Sequence, residues 1–277
     1  MLFKDIFPKY LSNSLLTNYR NFSNFLCFNQ ALELTLEVSK IKNDLRKELL
    51  SRLLYPLFLF FMTSILMFFF SCYGFSNIIA IFSEFDQDFT HLIIINDIIK
   101  FLIFILYVSV LIFIFIGVIL KVKKKSYLLY IITSKFRIFN LYKVYVSTIF
   151  IKYYNECYKI GLKTKDTLNL IKKMNNPILS LIASNLHLNL LDGKTLVEVV
   201  NTDLLDSKLL KFIKIAGYSD NLSSILSDYL NFTELRFKLL AKKASRTILV
   251  FTYSFICIVI IFVYLILFVP LTIMGTI

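Results

Sequence analysis

Over 277 residues the chain has no Trp, six Gly, four Pro, two His and four Cys. The cysteines, Cys27, Cys72, Cys157 and Cys257, stand far apart with no Cys-x-x-Cys spacing. That excludes a disulfide framework or a thiolate metal site, and they read as small buried hydrophobes. His91 and His187 have no second ligand at metal spacing, so no metal is predicted. No nucleophile stands beside a base and no carboxylates are paired, which leaves an enzyme without chemistry and calls for no cofactor. The shortage of Gly also decides one suggestive motif. LLDGKTL (190–196) ends in the Gly-Lys-Thr of a phosphate-binding P-loop, but the glycine required five residues before Gly193 is Leu188. The stretch reads as a turn, with Gly193 stopping one helix and Lys194-Thr195 opening the next.

A further absence concerns charge. Three apolar runs, 53–72, 101–120 and 247–271, contain no Asp, Glu, Lys, Arg or His. Each approaches or exceeds the roughly 20 residues that span a bilayer, and a transporter would carry ionisable groups there. What is present fits a membrane protein: 57% of residues are hydrophobic, with 29 Phe and 16 Tyr, against about 45–50% apolar usage in soluble domains. The abundance of Phe, Ile, Lys, Asn and Tyr partly reflects AT-rich coding, so individual aromatics carry little weight.

Charge distribution orients the spans. Basic residues crowd 1–52 and 121–246, including Lys121, Lys123, Lys124 and Lys125, whereas 73–100 has Lys100 against Glu84, Asp86, Asp88 and Asp97. The positive-inside rule makes the N-terminus and 121–246 cytoplasmic. The expected order is cytoplasmic helices (1–52), membrane helix (53–72), short extracytoplasmic loop (73–100), membrane helix (101–120), cytoplasmic helical bundle (121–246), membrane helix (247–271) and extracytoplasmic tail (272–277). The first residues lack the apolar core of a cleavable signal, so the first span begins near Leu53. The net charge of +13 then marks topology and proximity to anionic lipid. No stacking motif accompanies it, so direct nucleic-acid binding is not predicted.

Within 121–246 the pattern predicts about six helices with no competing strand. Gly161 closes the first, Thr164 caps the second, and Asn176-Pro177 starts a third that Gly193 stops. A short helix from Lys194 to about Asn201, one ending at Gly217, and a last one running unbroken into the third span complete the set. A faint repeat places residues 10–26 on 209–226, with Asn21-Phe22 on Asn221-Leu222.

Helical bundle, span, short loop, span, bundle, span, short tail: this order resembles the GspF/PilC family, the inner-membrane platform proteins of type II secretion, type IV pili and the competence pseudopilus. YKIGLKTKDTLNLIKKMNNPIL resembles its Gly, amphipathic helix, Asn-Pro stretch through Gly161 and Pro177. LLDGKTLVEVV places Gly193 on a family turn glycine, and IKIAGYSDNLSSIL resembles Gly-Glu-x-x-Gly-x-Leu through Gly217 and Leu222. Tyr55-Pro56 matches the entry to the first span, and Pro270 the proline near the end of the last. Tyr218 stands where the family has glutamate, and Asn221 where it has the second glycine. Asn tolerates a left-handed turn and could keep that geometry.

The resemblance implies an all-α membrane protein with three transmembrane helices, a six-helix cytoplasmic bundle domain and a truncated N-terminal copy of it. It also implies a non-enzymatic, multi-pass protein of the plasma membrane that self-associates. Its partners would be a cytoplasmic secretion ATPase and pilin or pseudopilin subunits, with competence DNA uptake the preferred setting. The basic faces 121–125, 208–214 and 236–246 are the expected partner or lipid surfaces. A permease-like or channel subunit with a basic cytoplasmic domain is the alternative; Thr63, Ser64, Ser71, Ser109, Thr252 and Ser254 would be its polar lining. A lipid-modifying enzyme would have to use Glu84, Asp86, Asp88 and His91.

Overall fold

The computed structural model describes residues 13–23, 26–82, 90–122, 127–128, 130–131, 140–200, 203–216 and 221–274. Among the described residues all regular structure is helical. In chain order the helices are α1 (Asn13–Ser23), α2 (Phe28–Phe69), α3 (Phe75–Phe82), α4 (Thr90–Val122), α5 (Asn140–Lys159), α6 (Thr164–Lys172), α7 (Pro177–Leu191), α8 (Leu196–Val200), α9 (Ser207–Ala216) and α10 (Leu222–Met274). A π-helical turn, Phe70–Gly74, follows α2. The chain divides into two compact units, one of Met1–Leu49 with Ile119–Ala241, the other of Leu50–Val118 with Lys242–Ile277.

In the first unit the N-terminal helices pack directly on the later ones. Phe22, Ala31 and Val38, from α1 and the start of α2, share one core with Phe150, Cys157, Ile171, Ile182, Leu209 and Tyr229. Burying a large apolar side chain contributes about 1.5–3 kcal/mol, so helices of 11 residues, too short to persist alone, are held by this packing. Polar side chains fix the docking direction. Tyr153 donates to Asn18 at 2.8 Å, and Asn18 donates to Ser39 at 2.9 Å, all buried. The Phe22 and Tyr153 rings lie 5.5 Å apart.

The proposed repeat register fails. Asn21 and Phe22 lie inside α1, whereas Asn221 caps the start of α10. The positions that correspond are Cys27 and Asn221, each immediately before a long helix and each accepting from the amide four residues on, Ala31 and Ile225. What recurs is the order of short helix, connector and long helix, without the residue match.

In the second unit Met67, Phe75, Ile103, Phe262 and Ile266 form a small core. Most other large apolar side chains point outward, including Leu54, Phe58, Leu66, Phe101, Phe104, Ile258 and Ile261. Two helical stretches, Phe28–Ala80 and Leu222–Phe268, are long and apolar enough to cross a membrane. The run 101–120 lies within α4. Most of the described part of 73–100, expected as a loop, is helical in α3 and α4, because apolar residues continue through Phe75–Phe82 and from Leu92 onward.

Candidate functional site

LLDGKTL is a helix stop joined to a helix start. Gly193 has φ +78°, the left-handed region where a Cβ would be strained. Its amide donates to the Leu190 carbonyl at 3.2 Å, and the Lys194 amide donates to the Asn189 carbonyl at 3.2 Å. Those two bonds satisfy carbonyls that the end of α7 would otherwise leave unpaired. Thr195 then forms a reciprocal box with Glu198: the Thr195 amide donates to Glu198 Oε2 at 2.9 Å, and the Glu198 amide to Thr195 Oγ1 at 3.4 Å. Lys194 Nζ donates to Asn189 Oδ1 at 2.7 Å. Every group that a P-loop would turn toward phosphate is thus used locally, and a carboxylate sits among them.

Gly161, φ +88°, ends α5 in the same way, with the Gly161 amide on Tyr158 and the Leu162 amide on Cys157. Asn176 caps α7, its Oδ1 accepting from Ile178 and Leu179, and Pro177 occupies the first turn, where a missing amide costs nothing. Thr164 does not cap α6. It is the first helical residue, and its hydroxyl pairs with Tyr154 at 2.9 Å, so a tertiary bond replaced the local one. Asn221 holds the start of α10 by accepting from the Ser224 amide at 3.1 Å.

Leu222 packs on the first unit's core and, with Leu190 and Leu196 on either side of the Gly193 turn, lines an apolar cavity of about 30 Å³. Leu222 therefore meets residues that flank the Gly193 turn, through packing rather than chemistry. Gly217 lies outside the described residues, as do Tyr218, Glu84, Asp86, Asp88 and Lys123–Lys125. In the second unit Tyr55 is exposed, and Pro56 is buried inside α2 without ending it. Pro270 falls within α10.

The expected basic faces separate on inspection. Lys208, Lys211 and Lys214 are exposed along α9. Arg236 is not part of an open basic face: it pairs with Asp206, a buried carboxylate whose own amide donates to Ser147 Oγ at 2.8 Å. Nothing in the local sequence marks that pair, which joins residues 30 positions apart.

A second network centres on Lys152, which bonds Glu37 at 2.9 Å and Glu156 at 3.0 Å, while Lys159 reaches Glu156 at 2.9 Å. Burial alone would lower the Lys152 pKa, but the bonds to both carboxylates outweigh it and leave it raised; the same bond lowers that of Glu37. The i, i+4 and i, i+3 spacings within α5 were visible in the sequence; the partner on α2 was not.

All four cysteines are free thiols. Cys157 is buried and burial pushes its thiol up to about 12, which makes it inert. Cys27 and Cys257 are exposed and Cys72 half-buried, against the expectation of four buried hydrophobes. Among the described residues no group of three or more His, Cys, Asp or Glu could hold a metal.

The second unit uses its polar groups inward. Ser64 pairs with Tyr107 at 2.8 Å. The Ser71 hydroxyl donates to Asn96 Oδ1, and Asn96 Nδ2 donates back to the Ser71 carbonyl at 3.2 Å. That carbonyl belongs to the π-helical turn, where the regular bonding pattern is displaced.

Two helical stretches long and apolar enough to cross a membrane, with many of their large apolar side chains exposed, are features a helical membrane protein presents. Residues 150–270 match the family model described as Type II secretion system (T2SS), protein F. Over that stretch the chain is similar to the GspF/PilC family domain. The match takes in Gly161, Pro177, Gly193, Gly217, Leu222 and Pro270, and leaves Tyr55 and Pro56 outside it. No curated protein and no solved structure matches the chain.

Proposed function

We propose that the protein is a non-enzymatic platform that couples a cytoplasmic secretion ATPase to the assembly of pilin or pseudopilin subunits. The observation that carries this reading is the family match over 150–270, which begins in α5 of the first unit and ends near the close of α10. The run 101–120 serves as a third membrane helix: Ile103 shares a core with Met67 and Phe262 from the other two runs, and its neighbours Phe101 and Phe104 face outward. The excess of Lys and Arg in 1–52 and 121–246 supports a cytoplasmic location for both segments. Gly161, Pro177, Gly193, Gly217 and Leu222 shape the platform's turns, Tyr55, Pro56 and Pro270 its membrane entry and exit, and copies of the chain associate. Competence DNA uptake is the setting we favour, with DNA a client of the machine rather than a ligand of this subunit. The permease alternative gains little, since Ser64 and Ser71 spend their hydroxyls on Tyr107 and Asn96 rather than lining an open path.

The test is co-purification of the detergent-solubilised full chain from its own cells. Recovery of a secretion ATPase and pilin-like proteins, with no ATP binding by the chain and none altered in a Gly193→Ala, Lys194→Ala, Thr195→Ala variant, is the expected result. ATP binding lost in that variant, without such partners, would contradict the proposal.

A further inference from the structure

In the first unit a groove of about 300 Å³ opens between α2, α5 and α10. Its polar walls include Glu37, Asp44, Glu156 and Glu234 against Lys40, Lys152 and Lys159. Glu37 and Glu156 pair with Lys152 and Lys159, Glu234 pairs with Lys238 beside the groove, and Asp44 stands exposed with no ion pair among the described residues. Asn155, fully buried, is part of the lining. Its Nδ2 donates to Ser227 Oγ at 3.1 Å, but its Oδ1 has no partner among the described residues.

The orientation of that amide follows from Ser227. The Ser227 hydroxyl has one proton, and it goes to the Ser223 carbonyl at 2.9 Å. Ser227 Oγ can then only accept, so Asn155 must present its NH2 group there and leave its carbonyl oxygen unclaimed. A buried acceptor without a donor costs about 1–3 kcal/mol. Such a group calls for a donor. Glu156 adds a second unclaimed acceptor, since Lys152 and Lys159 both bond its Oε1.

Two unclaimed acceptors in a carboxylate-rich groove call for a cationic donor. A metal ion is a poor candidate because the described residues hold no group of three ligands. An anion would find Lys152 and Lys159 already engaged by Glu37 and Glu156 and would face the two unclaimed acceptors. The groove also has an apolar strip, Ile41 and Leu230, suited to the methylene stem of a long side chain. A planar guanidinium, with five donors in a fixed fork, matches such a constellation better than a compact ammonium.

We propose that this groove receives an arginine side chain presented by a partner protein, with Asn155 Oδ1 and Glu156 accepting from the guanidinium and Asp44 supplying long-range attraction. The site does not depend on which machine the chain serves. Asn155 in this account is retained for binding at the expense of stability, which separates it from a structural asparagine.

The test uses the full chain in lipid nanodiscs and acetyl-arginine-amide as the probe, with acetyl-citrulline-amide as its uncharged near-isostere, both titrated by ligand-observed NMR. Saturable arginine binding is expected, with citrulline at least about tenfold weaker. Asn155→Leu should weaken the arginine probe about tenfold while holding or raising the melting temperature, because an unpaired acceptor is removed. Asp44→Lys, on the solvent-exposed wall, should weaken binding of the arginine probe without touching the core. Equal affinity for the two probes, no binding of either, or an Asn155→Leu protein that melts lower yet binds normally would overturn the proposal and leave the groove a water-filled crevice.

Discussion

The two units solve opposite problems with the same secondary structure. The first puts its apolar side chains inside, around Phe22, Phe150, Ile182 and Tyr229, and lysines such as Lys165, Lys208 and Lys211 outside. The second leaves Leu54, Phe101 and Ile261 outside and draws Ser64, Ser71, Asn96 and Thr252 inward. Water drives the first arrangement, because removing apolar area from it contributes about 25 cal/mol per Å². Lipid offers no such drive, so the second unit is held by close packing and by hydrogen bonds between helices. The same Phe or Ser therefore has a different worth in each unit, and substitutions measure the difference.

The largest effects belong to the first unit. Asp206→Ala would leave Arg236 without its buried partner, a loss of about 3–5 kcal/mol, read as the unfolding midpoint of the extramembrane transition. Phe22→Ala should cost a similar ~3–5 kcal/mol, and would do so only if α1 is part of that core; a loss under about 0.5 kcal/mol, the range of surface substitutions, would detach it. Gly193→Ala forces a Cβ into the left-handed region at a cost of about 1–2 kcal/mol.

In the second unit the Ser71 and Asn96 pair should show a coupling near the ~0.6 kcal/mol average of membrane double-mutant cycles, measured with Ser71→Ala and Asn96→Leu. A coupling well above that would mean the lipid-facing unit relies on polar bonds as heavily as the first.

The smallest effect is one of pH. Lys152 holds the Glu37 carboxyl below its ordinary value of 4.5, so the stability from that bond is present above 4.5 and is lost as pH falls through the lower folded value. For Lys152 the pKa is raised above 10.5, so its contribution is present below 10.5 and lost as pH rises through the higher folded value. Lys152→Met should flatten both limbs of a stability–pH curve, which thermal melts across that range would show.

How much of this was legible in the sequence depended on range. Gly161, Gly193 and Asn176-Pro177 act through atoms within six residues, and the composition pattern identified them. The Thr195 and Glu198 box is equally local. Thr164 was misread because its hydroxyl found Tyr154 across a turn, and Arg236 because Asp206 lay 30 residues away. The placement of α1 rested on Asn18 meeting Tyr153, 135 positions apart, a pairing no periodicity encodes. The groove was invisible for the same reason: its walls come from three helices distant in the chain.

The most direct test of the contrast is accessibility in a cysteine-free background. Single cysteines at Lys165→Cys and Lys211→Cys, exposed in the first unit, and at Leu57→Cys and Ile260→Cys, exposed in the second, would be probed in nanodiscs with a water-soluble maleimide. Rapid labelling at 165 and 211 with protection at 57 and 260, lifted when the lipid is removed, is the predicted result. Equal labelling at all four sites with lipid present would contradict the assignment of the second unit to the membrane.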